Sequence, residues 1–201
     1  MQDEKWLFDT ALKGKIVTLK PLQRVHAAAL VDAASEGQLW DLWFTSIPNQ
    51  DSVDAYIDLA LSERALGRAL PFVVVDNLSQ KIIGSTRFCN ADCANKRVEI
   101  GYTWYSKSYQ KTAVNTECKY LLLHHAFEHL KAIAVEFRTH WFNQASRTAI
   151  ARLGAKQDGV IRNAQIMADG SYRDTVVFSI INHEWLAVKA NLVFNMQTRN
   201  K

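Results

Sequence analysis

The sequence predicts an α/β domain built on a twisted mixed sheet of about seven strands flanked by helices. Three observations lead there. The hydrophobic period changes along the chain, from helical spacing over 51–66 to strict alternation over 97–105. Three successive strand-like runs, 71–75, 81–88 and 97–105, are joined too closely for crossovers and read as an antiparallel meander. Later, the order strand 97–105, helix within 108–130, strand 132–138 demands a crossover, which sets a parallel pair inside a mostly antiparallel sheet.

The elements follow in order. Residues 15–22 alternate weakly up to Pro21 and form a first strand. Residues 24–36 are alanine-rich and stop at Gly37, a helix with a C-terminal glycine. Residues 51–66 place Val53, Tyr56, Ile57, Ala60 and Leu61 on one helical face, with Asp51 or Ser52 as cap and Gly67 as stop. The β-branched run 71–75 turns at Asp76-Asn77, and 81–88 returns with Gly84 marking a bulge or a close backbone approach. In 97–105, Val98, Ile100, Tyr102 and Trp104 share one face, and Arg97, Glu99, Gly101 and Thr103 the other. A loop and helix occupy 108–130, a strand 132–138, and a helix 143–153 ending at Gly154. Strands 156–162 and 172–181 form a hairpin through Asp169-Gly170, and helix 184–194 follows.

No repeat or linker-like stretch divides the chain, so residues 1–201 read as one domain. A hydrophobic share of 48% excludes intrinsic disorder. The net charge of +4 favours anionic ligands but is scattered, so nucleic acid is not an expected partner. Cys89, Cys93 and Cys118 are too few for a disulfide framework and fit a reducing compartment. Residues 1–6 carry acids where a secretion signal has bases, and no run nears the ~18 apolar residues of a membrane span. The expectation is a cytoplasmic protein without a membrane partner.

The segment 104–120, WYSKSYQKTAVNTECKY, is the most informative. A strand ends, a loop bears Lys107 and Lys111, and a helix opens near Asn115-Thr116. The N–H groups and dipole at a helix start bind phosphate. Every helix start offers as much, so taken alone the segment is equally an ordinary turn with solvated lysines.

The ordered set of elements, with the stretches 97–102, 109–123, 143–155 and the hairpin from Asp169-Gly170 to Ile180, resembles the GNAT superfamily of acyl-CoA-dependent N-acetyltransferases. Within it the chain is similar to the branch containing the ribosomal-protein N-terminal acetyltransferases. The resemblance covers roughly 14–190. It implies a GNAT-type fold, acetyl-CoA as co-substrate, and acetyl transfer to a primary amine by direct attack in a ternary complex. The acceptor is then a protein N-terminus or a small-molecule amine. A homodimer is kept open as the assembly.

The family's pyrophosphate loop, Gln/Arg-x-x-Gly-x-Gly/Ala, falls on Gln110, Lys111, Thr112, Ala113, Val114 and Asn115, with Thr116 following. Gln110 matches; Ala113 and Asn115 replace both glycines. Alanine is the smallest replacement, and Asn tolerates left-handed backbone. The loss of both motivates an alternative: a non-catalytic acyl-CoA-binding or scaffold protein on a degenerate GNAT fold. In the family two central strands splay, and the cofactor arm pairs with the backbone of the strand here at 97–105. Glu99, on that strand, is the candidate to take the amine's proton, unless it is a surface acid paired with Arg97 or Arg87. A tyrosine that many members place seven residues after the helix-opening Asn is Ile150 here, which cannot donate. The branch points instead to Ser146, three residues after Asn143, as a hydrogen-bond donor to the departing thiolate. Ser146 could equally bond its own backbone. Asn143 is a natural N-cap, and its family position touches the cofactor arm.

No Cys-His pairing or Ser-His-Asp order supports a covalent acyl-enzyme. His124, His125, Glu128 and His129 lack the His-Glu-x-x-His order and a third ligand, so no metal is expected. His140 is an outside candidate for proton transfer near the splay. Trp40, Trp43 and Phe44 fit either the roof of the acceptor groove or packed core, and Asp51 and Asp54 could attract a cationic amine.

Overall fold

The computed structural model describes residues 6–167 and 169–198, so the reading of residues 1–5 as lacking a secretion signal lies outside the described residues. Strands β1 (Leu12–Lys13), β2 (Val17–Pro21), β3 (Leu70–Asp76), β4 (Ile82–Asp92), β5 (Arg97–Tyr105), β6 (Ala134–His140), β7 (Lys156–Ile166) and β8 (Tyr172–Ile181) form one sheet. Its order is β1-β2-β3-β4-β5-β6-β8-β7. Every pairing is antiparallel except β5 with β6, as the crossover requires. The count is eight against the seven read from sequence. β1 is two residues long and shows no periodicity a sequence could reveal.

The helices are α1 (Ala27–Ser35), α2 (Val53–Ala65), α3 (Val114–His124), α4 (Gln144–Arg152) and α5 (Trp185–Thr198). One apolar cluster lies between the sheet and α3, α4 and α5, with Leu122, Phe88, Val135, Phe137 and Trp185 at its centre. A second lies under α1 and α2, with Leu30, Ile57, Val73 and Trp104. None of the described helices is long and apolar enough to cross a membrane.

Several expectations need local correction. Neither Asp51 nor Ser52 caps α2 with its side chain. Asn49 Oδ1 instead accepts from the Asp51 and Ser52 backbone N–H groups, closing the preceding turn. Strand 132–138 runs two residues later, as Ala134–His140, because Ala132 and Ile133 are still bonded to the helix end and to Lys96. The helix expected within 108–130 continues past α3 only as a π-turn over His125–His129.

The consequential correction concerns β5. Its register against β4 slips between Ser85↔Trp104 and Arg87↔Gly101, and Tyr102 takes φ 50°. That bulge adds one residue and reverses the alternation beyond it. Val98 and Ile100 pack on the α3 side, but so does Tyr105, while Trp104 packs under α1 and α2. Tyr102 therefore lies against Arg87, and Thr103 against Lys119 of α3. Gly84 does mark a close approach: a Cβ there would stand 2.2 Å from the Trp104 carbonyl oxygen.

Helix α3 is fixed to the sheet by a buried carboxylate. Glu117 accepts from the backbone N–H groups of Lys15, Ile16 and Val17 at 2.9, 2.7 and 2.8 Å. Gly14 makes room for it, since a Cβ there would meet the carboxylate at 2.6 Å. This contact sets the start of α3, on which the candidate site depends.

Candidate active site at the splayed strands

The ladder between β5 and β6 is short. It runs Arg97↔Ala134, Val98↔Val135 and Glu99↔Glu136 and then ends. Beyond Glu99, β5 stays with β4 and β6 stays with β8 through His140. The two strands thus diverge at their C-terminal ends and leave the β6-facing edge of β5 without a ladder partner. The Tyr102 bulge lies in that edge. Such a notch is where an extended ligand can add as a strand.

Both strands run parallel, so the segments after them open on the same side. After β5 comes a turn over Lys107–Tyr109, then Gln110 and α3. The turn is tethered to the end of α1: Glu36 accepts from the Ser108 N–H and hydroxyl at 2.9 and 3.0 Å. Gln110 Nε2 donates to the Tyr105 carbonyl at 3.0 Å, and the Tyr105 hydroxyl donates to Asn115 Oδ1 at 3.2 Å. Thr112 Oγ1 donates to the Tyr109 carbonyl at 2.7 Å. Val114 and Thr116 are buried, whereas Lys111 is exposed with φ 61°. The side chains of Gln110, Asn115, Val114 and Thr116 are therefore turned inward. The first-turn N–H groups of α3 have no intrahelical acceptor and sit at the positive end of the helix, the Val114 N–H donating to Thr112 Oγ1 at 3.3 Å.

The two lost glycines change meaning here. Ala113 is the residue before α3 with φ −71° and ψ −16°, and Asn115 lies inside the helix. Neither position needs left-handed backbone. The left-handed residue of the loop is Lys111. Neither substitution therefore strains the backbone here.

After β6, Asn143 caps α4: its Oδ1 accepts from the Ser146 N–H at 3.0 Å. The Ser146 hydroxyl makes no hydrogen bond among the described residues, so it does not bond its own backbone. His140 closes β6 with its Nδ1 accepting from the Phe142 N–H at 3.1 Å, while Nε2 is buried and unpartnered. Burial, and then Arg173, pull its pKa below the ordinary imidazole value. Trp43 packs edge-on against this ring at 4.8 Å and Phe44 lies at 6.3 Å, while Trp40 packs into the cluster under α1 and α2. The aromatic group is therefore split: Trp43 and Phe44 border the splay, and Trp40 is core. Asp51 and Asp54 are exposed.

Glu99 sits at the last rung before the strands part. It is only 8% exposed. It is not a surface acid, and neither Arg97 nor Arg87 is its partner. Asn90 Nδ2 donates to its Oε2 at 2.7 Å, and Arg138 Nε lies 3.5 Å from the same oxygen. Arg97 pairs with Glu136 instead, which also takes Arg138 at 3.0 Å. Desolvation raises the Glu99 pKa above the ordinary carboxylate range, against the opposing pull of Asn90 and Arg138. A small cavity of about 190 Å³ opens beside it, lined by Asn90, Arg97, Glu99, Glu136 and Arg138. Asn90 and Arg138 were not singled out from sequence. The available signal was parity: in a parallel pair with Glu99 opposite Glu136, residue 138 falls on the same face.

Lys119 is a further group that sequence did not flag. It is buried in α3 with its Nζ 2.6 Å from Thr103 Oγ1, and no carboxylate pairs with it among the described residues. Burial lowers its pKa from 10.5 to about 8. Between those values the unfolded chain binds more protons than the native one, so parent stability rises with pH across that window. Below it the cost of the buried charge is fully present. Lys119→Met removes that cost and is expected to stabilise the protein by up to ~3 kcal/mol at neutral pH, with the rise above pH 8 abolished. Urea unfolding at pH 7, 8.5 and 10 measures both; equal profiles for parent and variant contradict the assignment.

Among the described residues no group of three or more His, Cys, Asp or Glu side chains is arranged to hold a metal. His124, His125 and His129 lie ring to ring, and burial holds His125 down at about 4.

A parallel pair that parts beside a helix start, on a mixed sheet flanked by helices, is the architecture to be matched with known proteins. Residues 17–156 match the acetyltransferase (GNAT) domain family, and the chain belongs to that family. It is 29% identical over 104 residues to a Bacillus subtilis (strain 168) protein named "Putative ribosomal N-acetyltransferase YdaF". That match spans 52% of this chain and 56% of the relative, a little over half the length of each. A GCN5-related N-acetyltransferase from Brucella melitensis superposes with a TM-score of 0.84 at 27% identity, covering 94% of this chain and 86% of that one. The fold is also that of Mycobacterium smegmatis RimJ in complex with CoA-disulfide, with a TM-score of 0.76 at 22% identity, covering 94% of this chain and 92% of that one.

Proposed function

We propose that the protein transfers the acetyl group of acetyl-CoA to a primary amine, by direct attack within a ternary complex. The observation that carries this reading is the notch: β5 and β6 part immediately after Glu99↔Glu136, with the start of α3 at the end of one strand and of α4 at the end of the other. The residues present fit the co-substrate. First-turn N–H groups of α3, from Ala113 to Thr116, and the backbone of 110–112 would receive the pyrophosphate. The free edge of β5 would receive the amides of the arm, and Asn143 would border it.

The chemistry follows from the groups beside the notch. The amine nitrogen forms a bond to the acetyl carbonyl carbon while the carbon–sulfur bond breaks. Glu99, with a raised pKa, takes the proton that the ammonium loses before it attacks, and the second N–H proton, shed as the amide forms, passes to the departing sulfur so that CoA leaves as the thiol. The Ser146 hydroxyl donates a hydrogen bond to the sulfur as it gains charge. On this reading Ser146→Ala lowers kcat about tenfold with acetyl-CoA affinity unchanged, a smaller loss than the ~2.7–4 kcal/mol of an oxyanion donor, since a thiolate leaves readily. Full activity in that variant would return Ser146 to a structural role.

The acceptor is a protein N-terminus or a small amine. The name carried by the Bacillus relative supports the first. The reading takes residues 1–201 as one cytoplasmic domain that forms a homodimer, which light scattering would test. Release of CoA thiol, with acetylation of the amine seen by mass, tests the activity against a panel of peptides and amines. CoA binding without turnover of any acceptor would favour the scaffold alternative.

A further inference from the structure

Arg87 of β4 is 2% exposed, and its Nε and Nη2 are buried without a hydrogen-bond partner. No carboxylate lies within ion-pair distance among the described residues. Two aromatic rings pack against its guanidinium: the central carbon stands 3.8 Å from the Tyr102 ring centre and 5.0 Å from that of Tyr56. Those rings recover part of the cost of burying the cation. The rings do not satisfy the buried donors Nε and Nη2, which form the side-on, two-donor fork that matches the two oxygens of a carboxylate.

Register places Arg87 on the α2 face of the sheet, the face that also carries Glu99. Arg87 pairs in register with Gly101, whose missing side chain points at Cys89 and Glu99. Tyr102, at the left-handed bulge, lies directly over it, and Tyr56 reaches it from α2 while donating to Ser85 at 3.2 Å. A second arginine stands nearby. Arg173 of β8 is half-buried, and the bond it makes among the described residues is to Thr175 Oγ1 at 3.1 Å. Thr175 sits opposite His140 at the end of β6, and Arg173 is near enough to Glu99 for its charge to oppose the rise that burial gives the Glu99 pKa. The remaining arginines of this face, Arg97 and Arg138, are matched by Glu136 and Glu99. Arg87 and Arg173 are left over.

We propose that Arg87 and Arg173 form an anion subsite beside Glu99, and that the acceptor is an amine bearing a carboxylate near its reacting nitrogen. The proposal rests on acetyl transfer as the activity and names its substrate class. Glu99 faces the ammonium, the arginines face the carboxylate, and a purely cationic amine such as a polyamine is rejected by the same two charges. The carboxylate comes from a free amino acid or from an acidic side chain close to a peptide N-terminus.

Two pairs of acceptors separate these sources: alanine against alaninamide, and Ser-Asp-Phe-amide against Ser-Asn-Phe-amide. In at least one pair the carboxylate form is expected to show a kcat/KM about tenfold higher or more, the usual scale of a charge-assisted bond. Arg173→Gln should bring that pair to near parity, the carboxylate form losing far more through KM than the amide form. Arg87→Lys keeps the charge without the fork and should lose most of the preference; if it does not fold, Arg173→Gln and the parent's own preference still decide. The N-acetylated forms of the same four compounds, titrated calorimetrically into CoA-loaded protein, read the subsite without turnover. Selective binding of the carboxylate forms with no CoA release from any amine leaves the subsite standing and removes the activity. Equal turnover and equal binding of acid and amide, or a preference untouched by both variants, overturns the subsite and leaves acetyl transfer in place.

Discussion

Ala113→Glu is expected to weaken CoA binding by at least about a hundredfold while the protein stays folded. Ala113 immediately precedes α3, half-buried, with right-handed backbone that any L-residue adopts. A carboxylate at a helix start is favourable to the helix itself, by roughly 0.3–1 kcal/mol, so the fold does not suffer. The same carboxylate occupies the space and the positive potential that a pyrophosphate would use, and two like charges at one helix end repel. The hundredfold figure corresponds to about 2.7 kcal/mol, within reach of one desolvated repulsion. Ala113→Gly, in contrast, should bind CoA at least as well as the parent, because the backbone there needs no positive φ and gains only clearance. Calorimetry with CoA on the two variants, beside thermal melts, gives the answer. Unchanged affinity in Ala113→Glu would move the cofactor away from α3.

The same loop shows which features a sequence discloses. Helices α2 and α4 were readable because apolar spacing, Gly67 and Gly154 as stops and Asn143 as a cap are all local. The meander and the parallel pair were readable because connection length restricts topology. What was hidden is what depends on parity and tertiary context. A single left-handed residue at Tyr102 reverses which residues of β5 face which helices, and no residue type announces it, since Tyr is a poor choice for positive φ. Strict alternation therefore put Tyr102 and Trp104 with Val98, and the structure divides them. Likewise the positive φ expected at the lost glycines of the loop is found at Lys111. Candidate residues could be named in the sequence, but their electrostatic surroundings could not. Glu99 could be named from resemblance, yet its partners Asn90 and Arg138 come from strands whose register only the folded chain reveals.

Glu99→Gln is expected to remove most activity at neutral pH and to return part of it at alkaline pH. An acceptor amine must be neutral to attack, and its ordinary pKa is ~10.4 for a lysine-like amine or ~7.7–8.0 for an N-terminus. A carboxylate at its ordinary value is a weak base toward either. Burial of Glu99 raises its pKa, with Glu136 adding to the rise and Asn90 and Arg138 opposing it. The rise brings it nearer the operating pH, where proton transfer is most effective. The sign fixes the profile. In the parent, activity falls as pH drops through the raised Glu99 pKa, since the protonated acid cannot accept. The acid limb thus lies above the ordinary Glu value. In Glu99→Gln that limb is replaced by one that follows the free amine alone, so an N-terminal peptide recovers at lower pH than a lysine-like amine. The amide keeps the shape of the side chain, and its neighbours Asn90 and Arg138 can still meet an oxygen. If Glu99 only attracts a cationic acceptor, KM rises and kcat holds. If the charge network of Glu136, Arg138 and Arg97 merely needs Glu99 for stability, the variant melts lower with its pH profile unmoved. A pH–rate series for parent and variant, with one N-terminal peptide and one lysine-like amine that also carries a carboxylate, distinguishes these outcomes. A kcat profile identical to the parent's would pass the proton to His140, whose buried Nε2 is unpartnered at the end of β6 and whose lowered pKa leaves it neutral and able to accept.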